Sequence, residues 1–417
     1  MPKFIVSNSM HLEGSVSIGG SKNSALPILA ATLLASGNST IYEVPDLSDI
    51  QNMTSLLSCL GASVTKTDNK GITVCCKKPL PDVSSYELVS KLRASFLVTG
   101  PLLARCGRVK ISMPGGCKIG SRPVDLHLKG LQAMGAKITQ GHGIIEARCK
   151  KLTGTKIYLD FPSVGATENL IMAASLADGQ TIIENAAVEP EIVDLTNFIN
   201  LMGGKIVGAG TGTIKITGVE ELSGQTHTVI PDRIEAGTYA AVAAITKGKI
   251  RIENVIPDHL KPITAKMREA GVTVTEGDNY IIVDATEKPK ATDIKTLPYP
   301  GFPTDMQAPY SSFMTVAERT SVIIETIFEN RFLHVPELVR MGAHVKIEGR
   351  TAVIEGSKKL TGAQVKATDL RAGAALVLAA LAADGDTEIS EIEHIERGYC
   401  NMDKKLTSLG ANITRTE

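Results

Sequence analysis

Cys117 stands in Pro114-Gly115-Gly116-Cys117-Lys118-Ile119-Gly120-Ser121-Arg122-Pro123, a glycine-rich connection where a strand should pass into a helix. Glycine on both sides predicts a mobile loop. A thiol beside Lys118 and Arg122 is accessible and biased toward its thiolate, as a nucleophile or proton donor requires. A single cysteine also fits as a small core residue, and both readings stand on chemistry alone. A second set of polar residues gathers at the expected starts of apolar helices: Lys22-Asn23, Arg93, Ser163-Val164-Gly165, Asp232-Arg233, Thr304-Asp305 and Asp369-Leu370-Arg371. Helix N-termini carry free N–H groups and partial positive charge, so several converging with Lys and Arg would attract phosphates or carboxylates. Asp232, Asp305, Asp369 and Ser163 fit equally as simple caps. Lys22, Arg93 and Arg371 do not, because a cation at a helix start opposes the dipole and needs an anion, either a ligand or solvent and counter-ions.

Those helices belong to a repeat. Six helix-like segments end in a Gly-centred tripeptide, at Gly61, Gly135, Gly203, Gly271, Gly342 and Gly410, spaced by 74, 68, 68, 71 and 68 residues. Each glycine falls where a helix needs a left-handed stop before a strand. An amphipathic helix such as Ile50, Met53, Leu57, Leu60 precedes it, and before that come β-type runs such as Thr181-Ile182-Ile183-Glu184 and Ile250-Arg251-Ile252-Glu253. Further upstream lies an Ala-rich helix that reads as buried all round, at 27–35, 95–104, 167–177, 237–245 and 373–383. An opening strand carries Leu-x-Gly at Leu12, Leu152, Leu222 and Leu360. The repeat is therefore strand–helix–strand–helix–strand–strand.

The last repeat lacks the second arm of its closing hairpin, and Phe4-Ile5-Val6 precedes Leu12-Glu13-Gly14 as Ala352-Val353-Ile354 precedes Leu360-Thr361-Gly362. The N-terminus is thus expected to supply the missing arm. An α/β chain of two halves with three repeats each follows, residues 22–229 forming one half and 1–21 with 230–417 the other. A ligand cleft between them is the expected site.

Length and composition narrow the function. The chain of 417 residues is too long for one small module. Lys+Arg and Asp+Glu both total 44, so no net basic field marks a binder of nucleic acid. Seven cysteines without regular spacing argue for reduced thiols and a cytoplasmic setting. The longest apolar run, Gly373 to Ala383, is too short to span a bilayer. Neither a Gly-x-x-x-x-Gly-Lys nucleotide loop nor a His-Glu-x-x-His metal motif occurs, so no cofactor and no metal is expected, and Gly208-Ala209-Gly210-Thr211-Gly212 reads as a hairpin turn. Cys59, Cys106, Cys149 and Cys400 read as structural, and His127 and His394 as packed or surface histidines.

The six-repeat chain, with Gly20-Ser21-Lys22-Asn23-Ser24-Ala25-Leu26-Pro27, the loop around Cys117 through Val124-Asp125-Leu126, Phe302-Pro303-Thr304-Asp305-Met306-Gln307 and Asp369-Leu370-Arg371-Ala372, resembles the UDP-N-acetylglucosamine 1-carboxyvinyltransferases over essentially its whole length. That resemblance to enolpyruvyl transferases implies a two-domain, inside-out α/β barrel-like fold. It implies transfer of the enolpyruvyl group of phosphoenolpyruvate to the 3-hydroxyl of UDP-N-acetylglucosamine, with release of phosphate, at the start of peptidoglycan synthesis. By the same resemblance Lys22, Arg122 and Arg397 hold the phosphate and carboxylate of phosphoenolpyruvate beside Asn23. Arg93, Arg122, Pro123, Val124, Asp125 and Leu126 contact the nucleotide, and Ser163, Val164 and Gly165 form the uridine-binding turn. Asp305 accepts the hydroxyl proton, and Cys117 acts as general acid, forms a phospholactoyl adduct and assists product release. Asp369 and Arg371 are expected as a buried charged pair, and Glu189 and Ile327 near the sugar and uracil. Many members carry Lys where this chain has Phe161, which removes a charged contact there. Two rivals are 5-enolpyruvylshikimate-3-phosphate synthase, whose family lacks the Gly-Gly-Cys loop, and a non-catalytic repeat clamp around nucleic acid, which zero net charge disfavours.

If the loop thiol is the reactive one, a small anionic epoxide such as fosfomycin should label Cys117 alone among the seven thiols, faster with nucleotide sugar present. Mass spectrometry after digestion locates the adduct; labelling spread over Cys59, Cys106 and Cys400 would exclude the assignment.

Overall fold

The computed structural model describes residues 2–67, 71–80, 82–83, 89, 92–113, 119–120, 123–287, 289–356 and 359–417. Contacts divide the chain into two compact units. One comprises Gly20–Gly116 with Arg122–Ile230; the other contains Met1–Gly19 and Pro231–Glu417, together with Ile119 and Gly120.

The expected repeat is present. Among the described residues each unit holds three four-stranded sheets of one pattern. An opening strand lies parallel to a second strand, whose other edge carries an antiparallel hairpin. In the third sheet of the first unit, Lys156–Tyr158 runs parallel to Gln180–Glu184, which pairs antiparallel with Thr213–Thr217, itself paired with Lys205–Val207. The 208–212 stretch is the hairpin turn between those last two strands. Gly61, Gly135, Gly203, Gly271, Gly342 and Gly410 all have positive φ, between 83° and 106°, the left-handed stop anticipated at the end of each amphipathic helix. The Leu-x-Gly marker is displaced from the opening strand in two repeats, which start at Lys156 and Thr226, after Gly154 and Gly224. In a third, Leu360–Thr361 forms a separate ladder with Ala383–Asp384, and the opening strand is Gln364–Lys366.

The N-terminus completes the last sheet. Lys3–Val6 lies antiparallel between Thr387–Ser390 and Ile413–Thr416, with Phe4 opposite Ile389 on one side and Arg415 on the other. Two opening strands are exchanged along the chain. Glu13–Ser17 pairs with Lys249–Glu253 in the second unit, yet continues into the helix Lys22–Ala31 of the first. Thr226–Thr228 pairs with Asn38–Tyr42 in the first, then continues into Arg233–Ile245 of the second.

Helices line the inside of each unit and sheets the outside. Leu370–Leu381 is buried from Arg371 to its end, Gln307–Met314 throughout, and Arg233–Ile245 from Ile234 on. Apolar residues all round let these helices pack on one another, and each meets the other two. In the first unit the corresponding helices are Lys22–Ala31, Thr99–Cys106 and Val164–Ala174. The second is shorter than its sequence suggests, because residues from Arg93 to Val98 wind as a 3₁₀ segment before the α-helix begins. Close approach depends on glycine at Gly100, whose N–H donates to Asn169 Oδ1 at 2.7 Å. A Cβ there would lie 2.4 Å from both the backbone oxygen and the Oδ1 of Asn169. Gly100→Ala should therefore cost about 2–3 kcal/mol through overpacking, read as a lowered urea midpoint with an unchanged slope.

Candidate functional site

In the second unit the starts of three buried helices meet. Asp232 and Asp369 are caps: Asp232 Oδ1 accepts from the N–H groups of Ile234 and Glu235, Asp369 Oδ1 from those of Arg371 and Ala372. Asp305 is not a cap. It sits in the 3₁₀ turn Thr304–Met306, and its carboxylate is gripped from both sides. Arg331 Nη2 donates to Oδ1 at 2.7 Å, and Arg371 donates to Oδ2 through Nη2 at 3.0 Å and Nε at 3.3 Å. The expected Asp369–Arg371 charged pair is thereby corrected: the guanidinium of Arg371 goes to Asp305, while Asp369 accepts from the backbone N–H groups of Arg371 and Ala372. The geometry explains the exchange, since a cap must turn its oxygens back toward the helix axis.

Arg371 is 2% exposed and Arg331 5%. Burial works against the charge of Arg371, but Tyr399, Asp305 and Asp232 outweigh it and hold the group above its ordinary value. Both arginines keep an unused buried donor, Nη1 of Arg371 and Nε of Arg331. Beside them His334 is fully buried, close to the backbone of Arg331, and among the described residues no hydrogen bond of good geometry reaches either ring nitrogen. Burial lowers its pKa to about 4 against the pull of Asp369, and the cation of Arg331 pushes the same way, so it is neutral at pH 7. Glu325, also buried, ties this corner together: it accepts from Thr296 and Thr304 hydroxyls and from the N–H groups of Ile327 and Phe328. It thus fixes the residue before Asp305 and the segment carrying Ile327. Arg397 ends the 3₁₀ segment Ile392–Arg397, half-buried. Arg331 and Glu325 escaped the sequence reading; neither lies at a helix start, and nothing in their local sequence separates them from ordinary loop and strand-end charges.

In the first unit Lys22 opens its helix 7% exposed, with Nζ 3.2 Å from Asp49 Oδ2 in the helix Ser48–Cys59. The anion that a cation at a helix start demands is here a protein carboxylate. Asn23 is half-buried beside it. Arg93 Nη2 reaches the carbonyl of Pro123 at 3.5 Å, which joins two of the expected nucleotide-contacting segments. Pro123 and Asp125 are exposed, Val124 buried and Leu126 half-buried, at the start of the helix Asp125–Ala133. Ser163 caps Val164–Ala174 by accepting from Ala166 N–H at 3.4 Å, leaving Val164 and Gly165 half-buried at the helix opening. His127 packs edge-on to Phe96 and bonds the Asn169 amide at 3.0 Å, a packed histidine as expected. Phe161 is exposed. Cys117 and Arg122, the two loop residues of greatest interest, lie outside the described residues.

Glu189 is buried at the start of the helix Pro190–Leu201, among acids. Glu168 nearby is 4% exposed, and burial, then the carboxylates of Glu191 and Glu189, hold its pKa well above the usual range. A neutral acid donates a hydrogen bond where an ionised one cannot.

Residues 6–406 match the family of EPSP synthase (3-phosphoshikimate 1-carboxyvinyltransferase). The enolpyruvyl transferase NikO from Streptomyces tendae superposes with a TM-score of 0.90 at 24% identity, covering 100% of this chain and 99% of that one. EPSP synthase from Acinetobacter baumannii gives 0.77 at 18% identity, with 100% of both chains covered. These likenesses define the fold as that of an enolpyruvyl transferase. A UDP-N-acetylglucosamine 1-carboxyvinyltransferase 1 of Caldanaerobacter subterraneus is 61% identical over 414 residues, 99% of each chain. A UDP-N-acetylglucosamine 1-carboxyvinyltransferase 2 of Carboxydothermus hydrogenoformans is 58% identical over 421 residues, 100% of this chain and 99% of the relative. The chain belongs to the UDP-N-acetylglucosamine 1-carboxyvinyltransferase branch of the enolpyruvyl transferase family. Enzymes of this family act on small molecules. No helix among the described residues is long and apolar enough to cross a membrane.

The state of Glu168 has a measurable consequence. Its folded pKa lies above the unfolded one, so its contribution is fully present below the unfolded value near 4.5 and is lost as pH rises toward the folded value. Glu168→Gln removes that loss, and chemical denaturation from pH 4 to 8 should show the variant gaining stability over the parent as pH rises. A constant difference would mean that Glu168 ionises normally.

Proposed function

We propose that this protein transfers the enolpyruvyl group of phosphoenolpyruvate to the 3-hydroxyl of UDP-N-acetylglucosamine, releasing phosphate, at the entry to peptidoglycan synthesis. The observation that carries this is 61% identity along 99% of a relative named for that reaction, against 18% to the EPSP synthase structure. A nucleic-acid clamp loses its basis in the same comparison, and zero net charge offers it none.

The chemistry asks for three things. A proton must reach the methylene carbon of phosphoenolpyruvate as the sugar hydroxyl attacks the adjacent carbon. The hydroxyl proton must be taken up, and the cationic character that develops at that carbon must be stabilised by anions beside it. Loss of the methyl proton and of phosphate then restores the double bond. Cys117 supplies the acid, and Asp305 accepts the hydroxyl proton. Its two guanidinium partners orient both oxygens, so the carboxylate enters the reaction already aimed. Lys22, Arg122 and Arg397 hold the phosphate and carboxylate, with Asn23 beside them. The spare buried donors of Arg331 and Arg371 gain an acceptor when an anion arrives. Arg93, Arg122 to Leu126 and Ser163 to Gly165 hold the nucleotide, with Glu189 and Ile327 near the sugar and uracil. Backbone groups at Ser163 and Val164 replace the charged contact that Phe161 cannot make.

Phosphate release from phosphoenolpyruvate should depend on UDP-N-acetylglucosamine and fail with shikimate 3-phosphate. Asp305→Asn should lower kcat by about three orders of magnitude while nucleotide affinity stays near normal. Turnover with shikimate 3-phosphate would overturn the substrate assignment, and near-normal turnover of the variant would overturn the role of Asp305.

A further inference from the structure

Asp194 sits within the helix Pro190–Leu201, 3% exposed, and plays no part in the chemistry above. Its carboxylate accepts from three separate segments. Oδ2 takes the Ser24 hydroxyl and the Ile230 N–H, the latter at 3.2 Å, and Oδ1 takes Nε2 of His227 at 2.8 Å. Ser24 is fully buried and lies two residues after Lys22. Ile230 is bound to the same corner a second time, since its carbonyl accepts from Ser21 N–H at 2.7 Å. The His227 ring, on the strand Thr226–Thr228, rests against Phe198, with centroids 5.5 Å apart.

Burying a carboxylate among a hydroxyl, an amide and an imidazole contributes little net stability, because desolvation offsets the bonds. It does fix geometry. The first turn of a helix has no internal partners for its N–H groups and is the part most easily displaced. Lys22 and Asn23 occupy that turn, and the long side chain of Lys22 magnifies any tilt of its backbone. We infer that Asp194 is a positioning residue for enolpyruvyl transfer: through Ser24 and Ile230 it fixes the start of the Lys22–Ala31 helix, so that Lys22 and Asn23 meet the anionic substrate in a single geometry. This rests on the reading of Lys22 as an anion-holding group.

The test compares Asp194→Ala, Ser24→Ala and the double variant in the full chain. Each single variant should raise KM for phosphoenolpyruvate about tenfold, with KM for UDP-N-acetylglucosamine changed by less than about twofold. The double variant should be no worse than Asp194→Ala, since both cut one link. Asp194→Asn should recover most of the loss, because an amide oxygen in the place of Oδ2 still accepts from both the Ile230 N–H and the Ser24 hydroxyl, while the NH2 group donates to His227 Nε2 in the tautomer that accepts there. Calorimetric affinity for inorganic phosphate should weaken about tenfold in both single variants and needs no turnover, so it decides the inference even if the substrate assignment fails. A fall in thermal midpoint and kcat with phosphoenolpyruvate KM and phosphate affinity unchanged would reduce Asp194 to a structural residue. Additive effects of the two single variants would equally overturn it. Ser24→Ala removes one oxygen and keeps the test decisive if Asp194→Ala does not fold.

Discussion

The mutual burial of three helices inside each unit is the constraint from which the rest follows. A helix such as Leu370–Leu381, buried on every side from Arg371 to Leu381, carries only apolar side chains and glycine after Arg371 in its first turn. Alanine and glycine let its neighbours approach, and the absence of tryptophan keeps the interior filled by small aliphatic groups. At Gly237 an added Cβ would lie 2.8 Å from Ile263, and at Gly373 2.5 Å from Ile395, so these contacts admit no larger residue without movement. Sheets then cover the outside, their inward residues apolar and their outward ones charged, as along Lys249–Glu253.

The charged side chains of these helices are consequently gathered toward their starts. There the free N–H groups need acceptors, and two solutions appear side by side in the second unit. Asp232 and Asp369 bend back to serve their own helices. Asp305 faces two guanidiniums instead, so three aspartates at similar positions find two different sets of partners. Buried ion pairs of this kind add little to stability, because desolvation consumes most of the Coulombic gain. What they do supply is orientation, which a reaction between two bound substrates requires.

The first unit handles the same constraint with a different balance of charge. Lys22 is held by Asp49, Ser24 by Asp194, and the third helix carries Glu168 among Glu189 and Glu191. Of these acids Glu168 is held toward its neutral form by burial and by the neighbouring carboxylates, and Asp49 lies against the Lys22 ammonium. The hydrogen bonds from Ser24 and Ile230 to Asp194 tie the start of the Lys22–Ala31 helix to the helix Pro190–Leu201.

The sequence alone determined the repeat, its six left-handed glycines, the buried helices, the closing of the last sheet by Phe4-Ile5-Val6, and the presence of cations at helix starts, where the dipole opposes them. Each of these is local or periodic, so spacing and residue type suffice. Tertiary structure alone decided partnership. Asp305, Asp369 and Asp232 are alike in sequence context, yet one accepts from arginines 26 and 66 residues away and the others from N–H groups two and three residues on. Arg331, Glu325 and Asp194 carry no local signal, because their partners are brought near by sheets and helices separated widely along the chain. A carboxylate's role depends on what surrounds it after burial, and burial is a property of the whole packed unit.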